Sequence, residues 1–310
     1  GRAIDGLGIE AIGWSVRVAT PRPAVDRIAR VEPRRDVVGD RTRRIYDTVS
    51  GAIVDAAVLD RATLAVGDRV IGSTMLVGGF QEKVLVRASA TRKLSENVGF
   101  AEATGLHYAY GTGYYGLKYR GNLQPGETLL VTGASGGTGS AAIQLGLAAG
   151  ARVIAVAGGA EKVAACEALG ADEVIDHREV DDLVERVREL TGGSGVDVAY
   201  DPVGGDVFQQ VRRCMAWNGR LLVIGFVAGI PKIATNHVLL KNYSVVGVHW
   251  GASLARDPAS LGRQMGELFT LAETGAVDPL LHPVYGFDQG ARAIQDIADR
   301  KVVGKVVVSV

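Results

Sequence analysis

Cysteine is nearly absent: the 310-residue chain has two, Cys166 and Cys214, each alone in a stretch of helical pattern. That scarcity excludes a disulfide framework and a Cys-rich zinc site. Net charge is absent as well, with 34 basic residues balancing 34 acidic ones. No electrostatic footprint for nucleic acid or an anionic membrane comes from such a balance. No apolar run approaches the roughly 18 residues of a membrane span. The opening GRAIDGLGIEAIGW lacks the basic start and apolar block of a signal peptide, so a cytoplasmic location is expected. Aromatics are few, whereas glycine is plentiful at 42 residues, enough to serve many tight turns. The length allows a large core and two domains.

From Glu127 onward, short β-branched runs alternate with helical stretches. ETLLVTG, ARVIAVA, EVIDH, VDVAYDPV, RLLVIGF and YSVVGVHW read as strands. Between them SAAIQLGLAAG, EKVAACEALG, VDDLVERVRELTGG and DVFQQVRRCMAWNG read as helices, several closed by glycine. Strands this apolar, separated by helices, imply a parallel sheet covered on both faces. Six in this order predict an α/β, doubly wound, six-stranded Rossmann domain. Upstream, AVGDRVIGSTMLVGGFQEKVLVRAS predicts short antiparallel strands. Downstream, LFTLAETGAV and GARAIQDIADR predict helices, and KVVGKVVVSV a closing strand. The expected organisation is a β-rich domain over 1–108, a nucleotide-binding domain over 109–254, and a return to the first domain over 255–310. The first sixty residues carry many arginines and no lysine, with weak periodicity of either kind. They read equally as a solvated helical surface or as a poorly ordered segment.

The stretch VTGASGGTG, Val131 to Gly139, follows a strand and opens a helix. Glycines at 136, 137 and 139 there suit a sharp turn, a close approach by pyrophosphate, and close helix–sheet packing. Exposed amides and the helix dipole would hold the phosphates. Two families use such a turn. A short-chain dehydrogenase would carry it near the N-terminus, with a Tyr-x-x-x-Lys pair well downstream. Here the turn begins at Val131, and the one such pair, Tyr114 with Lys118, lies upstream. That reading fails.

The stretches AVGDRV, GGFQEKVLV, YGTGYYGLK, LQPGETLLVTGASGGTGSAAIQL, EKVAACEALGADEVIDHRE, VDVAYDPVGGDVF, GRLLVIGF, LLKNYSVVGVHWG and VVGKVVV occur in order from about Ala65 onward. Together they resemble the quinone oxidoreductase branch of the medium-chain dehydrogenase/reductase superfamily, which includes zeta-crystallin. The resemblance implies a Rossmann domain inserted in a smaller β-rich, GroES-like domain. At the N-terminus it stops, because the branch's Gly-Val-Asn segment and Pro-Gly-x-Glu turn are missing. Tyr46, in RIYD, is too poorly framed to stand for a family tyrosine.

An NAD enzyme places Asp or Glu at the end of the second strand, on the adenosine ribose. Here Ala157 stands there, followed by Gly158 and Gly159, with Lys162 opening the next helix. By resemblance, His177 closes over the same group. This pattern predicts NADPH. The cofactor-binding residues so expected are Ala134, Ser135, Gly136, Gly137, Thr138, Gly139, Lys162 and His177. The resemblance adds Val203, Gly204 and Gly205 near the nicotinamide ribose. It also places Gly225, Phe226 and Val227, with Val248, His249 and Trp250, around the nicotinamide; Phe226 and Trp250 read equally as core aromatics. Thr112 falls where the branch puts a hydroxyl beside the carboxamide.

No cysteine precedes Cys166 and His107 stands alone, so no metal site and no zinc-bound alkoxide route are expected. Hydride transfer to an electron-poor acceptor, a quinone or activated enone, suits such a site. Tyr114 or water would bring the proton, although Tyr114 also reads as a packing residue. The alternatives are an enoyl-thioester reductase and a non-catalytic NADPH-binding protein with a degenerate cleft. The apolar edge strand 243–250 predicts a homodimer.

Overall fold

In the computed structural model, residues 42–48, 51–56, 67–73, 83–87 and 91–309 are described. Strands β1 (Thr42–Thr48), β2 (Gly51–Ala56), β3 (Arg69–Gly72), β4 (Lys83–Arg87) and β5 (Thr91–Lys93) form an antiparallel sheet in the order β4-β1-β2-β3-β5. The hairpin β1–β2 pairs Ile45 with Val54 and Tyr46 with Ile53. It lies in the arginine-rich stretch that showed no period, and it replaces the helical reading there; residues 1–41 lie outside the described ones.

A continuous helical run follows: α1 (Phe100–Gly105), a π-helical turn (Leu106–Tyr110), α2 (Gly111–Tyr114) and a second π-helical turn (Tyr115–Arg120). It passes straight through position 108, where a domain boundary was expected.

The Rossmann domain is then built from β6 (Thr128–Val131), α3 (Gly137–Ala148), β7 (Arg152–Ala157), α4 (Ala160–Ala168), β8 (Glu173–Asp176), α5 (Leu183–Leu190), β9 (Val196–Asp201), α6 (Gly205–Cys214), β10 (Met215–Val223), α7 (Thr235–Lys241) and β11 (Ser244–Gly247). All six strands are parallel, in the order β11-β10-β9-β6-β7-β8. Successive residues of β6 face opposite layers. Leu129 and Val131 join a core with Val153, Val198 and Ile143, while Leu130 joins one with Ile154, Phe208 and Val211. Each such side chain, fully buried, stabilises by roughly 1.5–3 kcal/mol.

Three boundaries differ from expectation. Helix α6 stops at Cys214 rather than running to Gly219, because β10 begins at Met215 and turns through a bulge with Asn218 at φ 61. The edge strand is only Ser244–Gly247, since His249 already caps the next helix. The closing strand shrinks to β13 (Val308–Ser309), paired with β12 (Tyr285–Gly286).

Helices α8 (Trp250–Arg256) and α9 (Pro258–Glu273) lead back towards the β unit, where Arg92 of β5 lies 5.0 Å over the Phe269 ring. Helix α10 (Gly290–Ala298) precedes the final crossing. Among the described residues no helix is long and apolar enough to cross a membrane.

Helix α3 sits directly on the end of β6 because Gly139 has no side chain. A Cβ there would overlap the Gly133 carbonyl oxygen and lie 2.7 Å from Ala134 Cα, both backbone. Gly139→Ala is therefore expected to lower the unfolding free energy by about 1–3 kcal/mol, the usual cost of overpacking. Urea denaturation measures it, and an unchanged midpoint would contradict this close approach.

Candidate active site

The turn between β6 and α3 presents its backbone. Gly136 is the N-cap in extended conformation (φ −81, ψ 172), and no side chain caps the helix. The first amides of α3 are thus left for an external acceptor, backed by a 12-residue helix dipole. Ala134 and Ser135 are buried, whereas Gly136, Gly137 and Thr138 line the half-open mouth.

The C-terminal segment lies across this turn. Gly304 N–H donates to the Ser135 carbonyl at 2.7 Å, and Gly304 bridges to Gly136. The stem of Lys305 covers Gly137: a Cβ there would sit 3.5 Å from Lys305 Cδ. Burial holds the Lys305 pKa below the usual lysine value, with no charged group offsetting it. A poorly hydrated ammonium beside a positive helix end calls for an anion. The sequence reading missed Lys305; a lone lysine inside GKVVVSV was the available signal.

At the adenosine end, Ala157 closes β7 and leaves no carboxylate at that strand terminus. The His177 ring lies against Gly158, where a Cβ would collide with Nε2. Arg178, also missed, brings Nη1 to 2.8 Å from the position of a Cβ on Gly159. Asp176, at the end of β8, spends its oxygens on backbone: it accepts from Gly159 N–H at 2.9 Å and from Arg178 N–H at 2.9 Å. Those amides hold its carboxyl below the ordinary range. Lys162 is already engaged, donating to the Arg300 carbonyl at 2.7 Å.

Between these ends lies the crevice where the strand order reverses, between β6 and β9. Asp201, 1% exposed, organises it. Its carboxylate accepts from Thr132 Oγ1 at 2.6 Å, from Val203 N–H at 2.9 Å and from Gly204 N–H at 3.3 Å. Its carbonyl accepts from Ile224 N–H at 3.0 Å. Gly204 and Gly205 take φ of 71 and 52, and Gly205 N–H donates to Gly229 O at 2.8 Å, tying the loop after β9 to the loop carrying Gly225, Phe226 and Val227. Val227 is exposed. Val248 N–H donates to Val223 O at 3.0 Å, while His249 Nδ1 accepts from Ala252 N–H and caps α8. Trp250 is buried, donates Nε1–H to Gln264 at 2.9 Å and packs on the glycine face of α2, where a Cβ on Gly111 would be 2.6 Å from its ring. Trp250 is therefore a core aromatic packed on α2, one of the two readings its sequence allowed. Thr112, next to Gly111, is half-buried on the same helix.

Tyr114 does not belong to this crevice. Its hydroxyl donates to Glu267 at 2.6 Å and accepts from Lys118 at 2.7 Å. Burial and the Glu267 bond push its pKa up to about 12. It lines a cavity of about 300 Å³ with Leu145, Ala148 and Ala149, at the end of α3 away from the glycine turn. A helix of that length spans roughly 18 Å. The proton-donor expectation for Tyr114 finds no support in this geometry, because its hydroxyl is already engaged by Glu267 and Lys118.

Residues 137–263 match the family model described as zinc-binding dehydrogenase. The chain is 38% identical over 264 residues to a quinone oxidoreductase-like protein 2 homolog of Nematostella vectensis, covering 84% of this chain and 72% of that protein. The chain belongs to the quinone oxidoreductase family. Two solved structures are similar to it over most of their length. A mycobacterial protein complexed with NADPH matches with TM-score 0.80 at 26% identity, over 90% of this chain and 95% of that one. The CurK enoyl reductase matches with TM-score 0.75 at 28% identity, over 84% of this chain and 77% of that one. Among the described residues of this family member, no three His, Cys, Asp or Glu side chains group as a metal site.

Asp201→Ala would strand the Thr132 hydroxyl and the Val203 and Gly204 amides in a buried place, each worth about 1–3 kcal/mol when unpaired. Denaturant unfolding is expected to show a loss of at least that size, with Asp201→Asn losing less. A variant as stable as the parent would remove Asp201 from this role.

Proposed function

We propose that this chain is an NADPH-dependent reductase that delivers hydride to a quinone or an activated enone. The observation that carries the cofactor half is the adenosine end, where Ala157 replaces an acid while His177 and Arg178 crowd Gly158 and Gly159. Asp176, the neighbouring carboxylate, is turned inward onto amides and does not answer a ribose hydroxyl. A 2′-phosphate would therefore meet the Arg178 guanidinium and the His177 ring rather than a carboxylate. Its pyrophosphate partner would be held by Ala134, Ser135, Gly136, Gly137, Thr138 and Gly139, with Lys305 as counter-charge. Lys162 serves by fixing Arg300 and the crossing segment. Val203, Gly204 and Gly205 would carry the nicotinamide ribose; Gly225, Phe226, Val227, Val248, His249 and Trp250 would frame the ring, with Thr112 at its carboxamide.

The bound nicotinamide supplies a hydride. The protein's share is alignment in the crevice and exclusion of water. The likeness to an enoyl reductase favours an α,β-unsaturated thioester as the second acceptor class, with the same polarised C=C bond.

Each charge-assisted contact to the extra phosphate is worth about 1.5–3 kcal/mol, about tenfold or more in affinity. Titration calorimetry is expected to show NADPH bound at least tenfold more tightly than NADH, and His177→Ala with Arg178→Ala to erase most of that margin. With quinones and enones added, absorbance at 340 nm should fall. Equal affinities for the two cofactors would overturn the cofactor reading. Tight NADPH binding without oxidation by any acceptor would leave a non-catalytic binding protein.

We further infer a homodimer through β11. The strand's outer edge has no partner within the six-stranded sheet, and Val227, Ile230, Leu239, Leu240 and Val245 expose apolar side chains around it. Pairing two copies about a two-fold axis would join the sheets and cover those side chains. Light scattering after size exclusion is expected to give twice the chain mass, and Leu240→Glu with Val245→Lys to halve it. A monomeric parent at micromolar concentration would rule the interface out.

A further inference from the structure

The reductase reading leaves the proton unaccounted for once Tyr114 is displaced, and the structure offers a different hydroxyl. Tyr108 lies one helical turn before Thr112. The end of β3 reaches it from the opposite wall: Ser73 Oγ and the Tyr108 hydroxyl are hydrogen-bonded. Tyr108 therefore stands where the β unit and the Rossmann domain meet. Its ring makes edge contacts with Trp250, at 6.0 Å between centroids, and with His107, at 4.8 Å. Trp250 follows β11 at the carboxyl ends of the strands, the side on which open α/β sheets bind ligands. Despite these neighbours Tyr108 is 43% exposed, so its hydroxyl is not sealed off.

His107 completes the wall without competing for the task. Its ring touches Trp250 edge-on at 5.5 Å. Burial pulls its pKa down to about 4, so at neutral pH it is uncharged. It screens one side of the phenol from water.

We propose that Tyr108, oriented by Ser73, is the catalytic proton donor for the acceptor reduced in this cleft. The proposal rests on the reductase reading, whose nicotinamide cofactor is the reductant. Hydride arrival at the electron-poor carbon brings two electrons and pushes the π pair onto the acceptor oxygen. The Tyr108 O–H bond breaks, its proton forms the new O–H bond, and water restores the phenol. A positioned tyrosine hydroxyl is one of the side-chain groups that can serve as a general acid.

The test compares the parent with Tyr108→Phe, Ser73→Ala and Ser73→Thr, reading NADPH oxidation, NADPH affinity and the solvent deuterium isotope effect. Tyr108→Phe should lower kcat about 10²-fold, the low end for loss of a general acid. NADPH affinity and melting temperature should stay within error of the parent, and the isotope effect should change. Ser73→Ala should lower kcat less, without changing the acceptor's KM, and Ser73→Thr should restore it. An active parent with an equally active Tyr108→Phe overturns the assignment and leaves the reductase reading intact. A parent that binds NADPH but oxidises none of it with any acceptor overturns both.

Discussion

One buried carboxylate holds the crevice open in a single shape. Asp201 ends β9, yet it fastens three strands: the Thr132 hydroxyl after β6, its own following loop at Val203 and Gly204, and, through its carbonyl, Ile224 after β10. A carboxylate out of water is costly unless its lone pairs are satisfied. Asp201 finds three donors in place, and none is free to adopt another arrangement without orphaning the rest. The strand ends that a ligand would touch are therefore pinned by the same group that needs them, which is how a crevice between diverging helices stays preorganised.

The charge pattern follows from how the acids are used. Two carboxylates lie close to the crevice, Asp201 and Asp176, and both turn inward onto amides and a hydroxyl. Asp176 still attracts the neighbouring Arg178 electrostatically, but its oxygens are bonded to backbone amides. Along one path run His177 and Arg178 at the adenosine end, then the amides of α3 and the Lys305 ammonium at the glycine turn. The Lys305 charge is largely withdrawn from water, where electrostatic attraction to an anion is strongest. Such a row of donor groups would suit a ligand with phosphate at two separated places.

Much of this was readable from residue patterns because the Rossmann half obeys local rules. β-branched runs of buried strands, glycine at helix ends and the 136–139 turn each act within a few residues, and each of the six strands overlaps the stretch the pattern marked. Legibility failed where meaning depends on distant partners. Tyr114 and Lys118 have the spacing of a catalytic pair, but Glu267, far along the chain, claims both. Lys305 and Arg178 carry little local signal, and only the fold brings them against Gly137 and Gly159. Asp201 sat unremarked in VDVAYDPVGG, since nothing local shows that its partners lie on another strand. The hairpin at 42–56 was missed for a related reason: TRRIYDT carries one aliphatic residue, so alternation is too weak to declare a strand.

The last crossing of the chain links these features. Between Arg300 and Lys305 the backbone accepts from Lys162 at the adenosine end, donates to Ser135 at the glycine turn and lays an ammonium over Gly137. Its sheet support is slight, since β12 and β13 pair over only two residues each. The rest of its anchoring is shared between the nucleotide-binding domain, through Ser135 and Gly136, and the neighbouring C-terminal stretch, through Leu280, Leu281 and His282. Six residues thus contact both the start of α4 and the glycine turn. Because they form one short stretch of backbone, the two ends of the crevice are tied to each other through it.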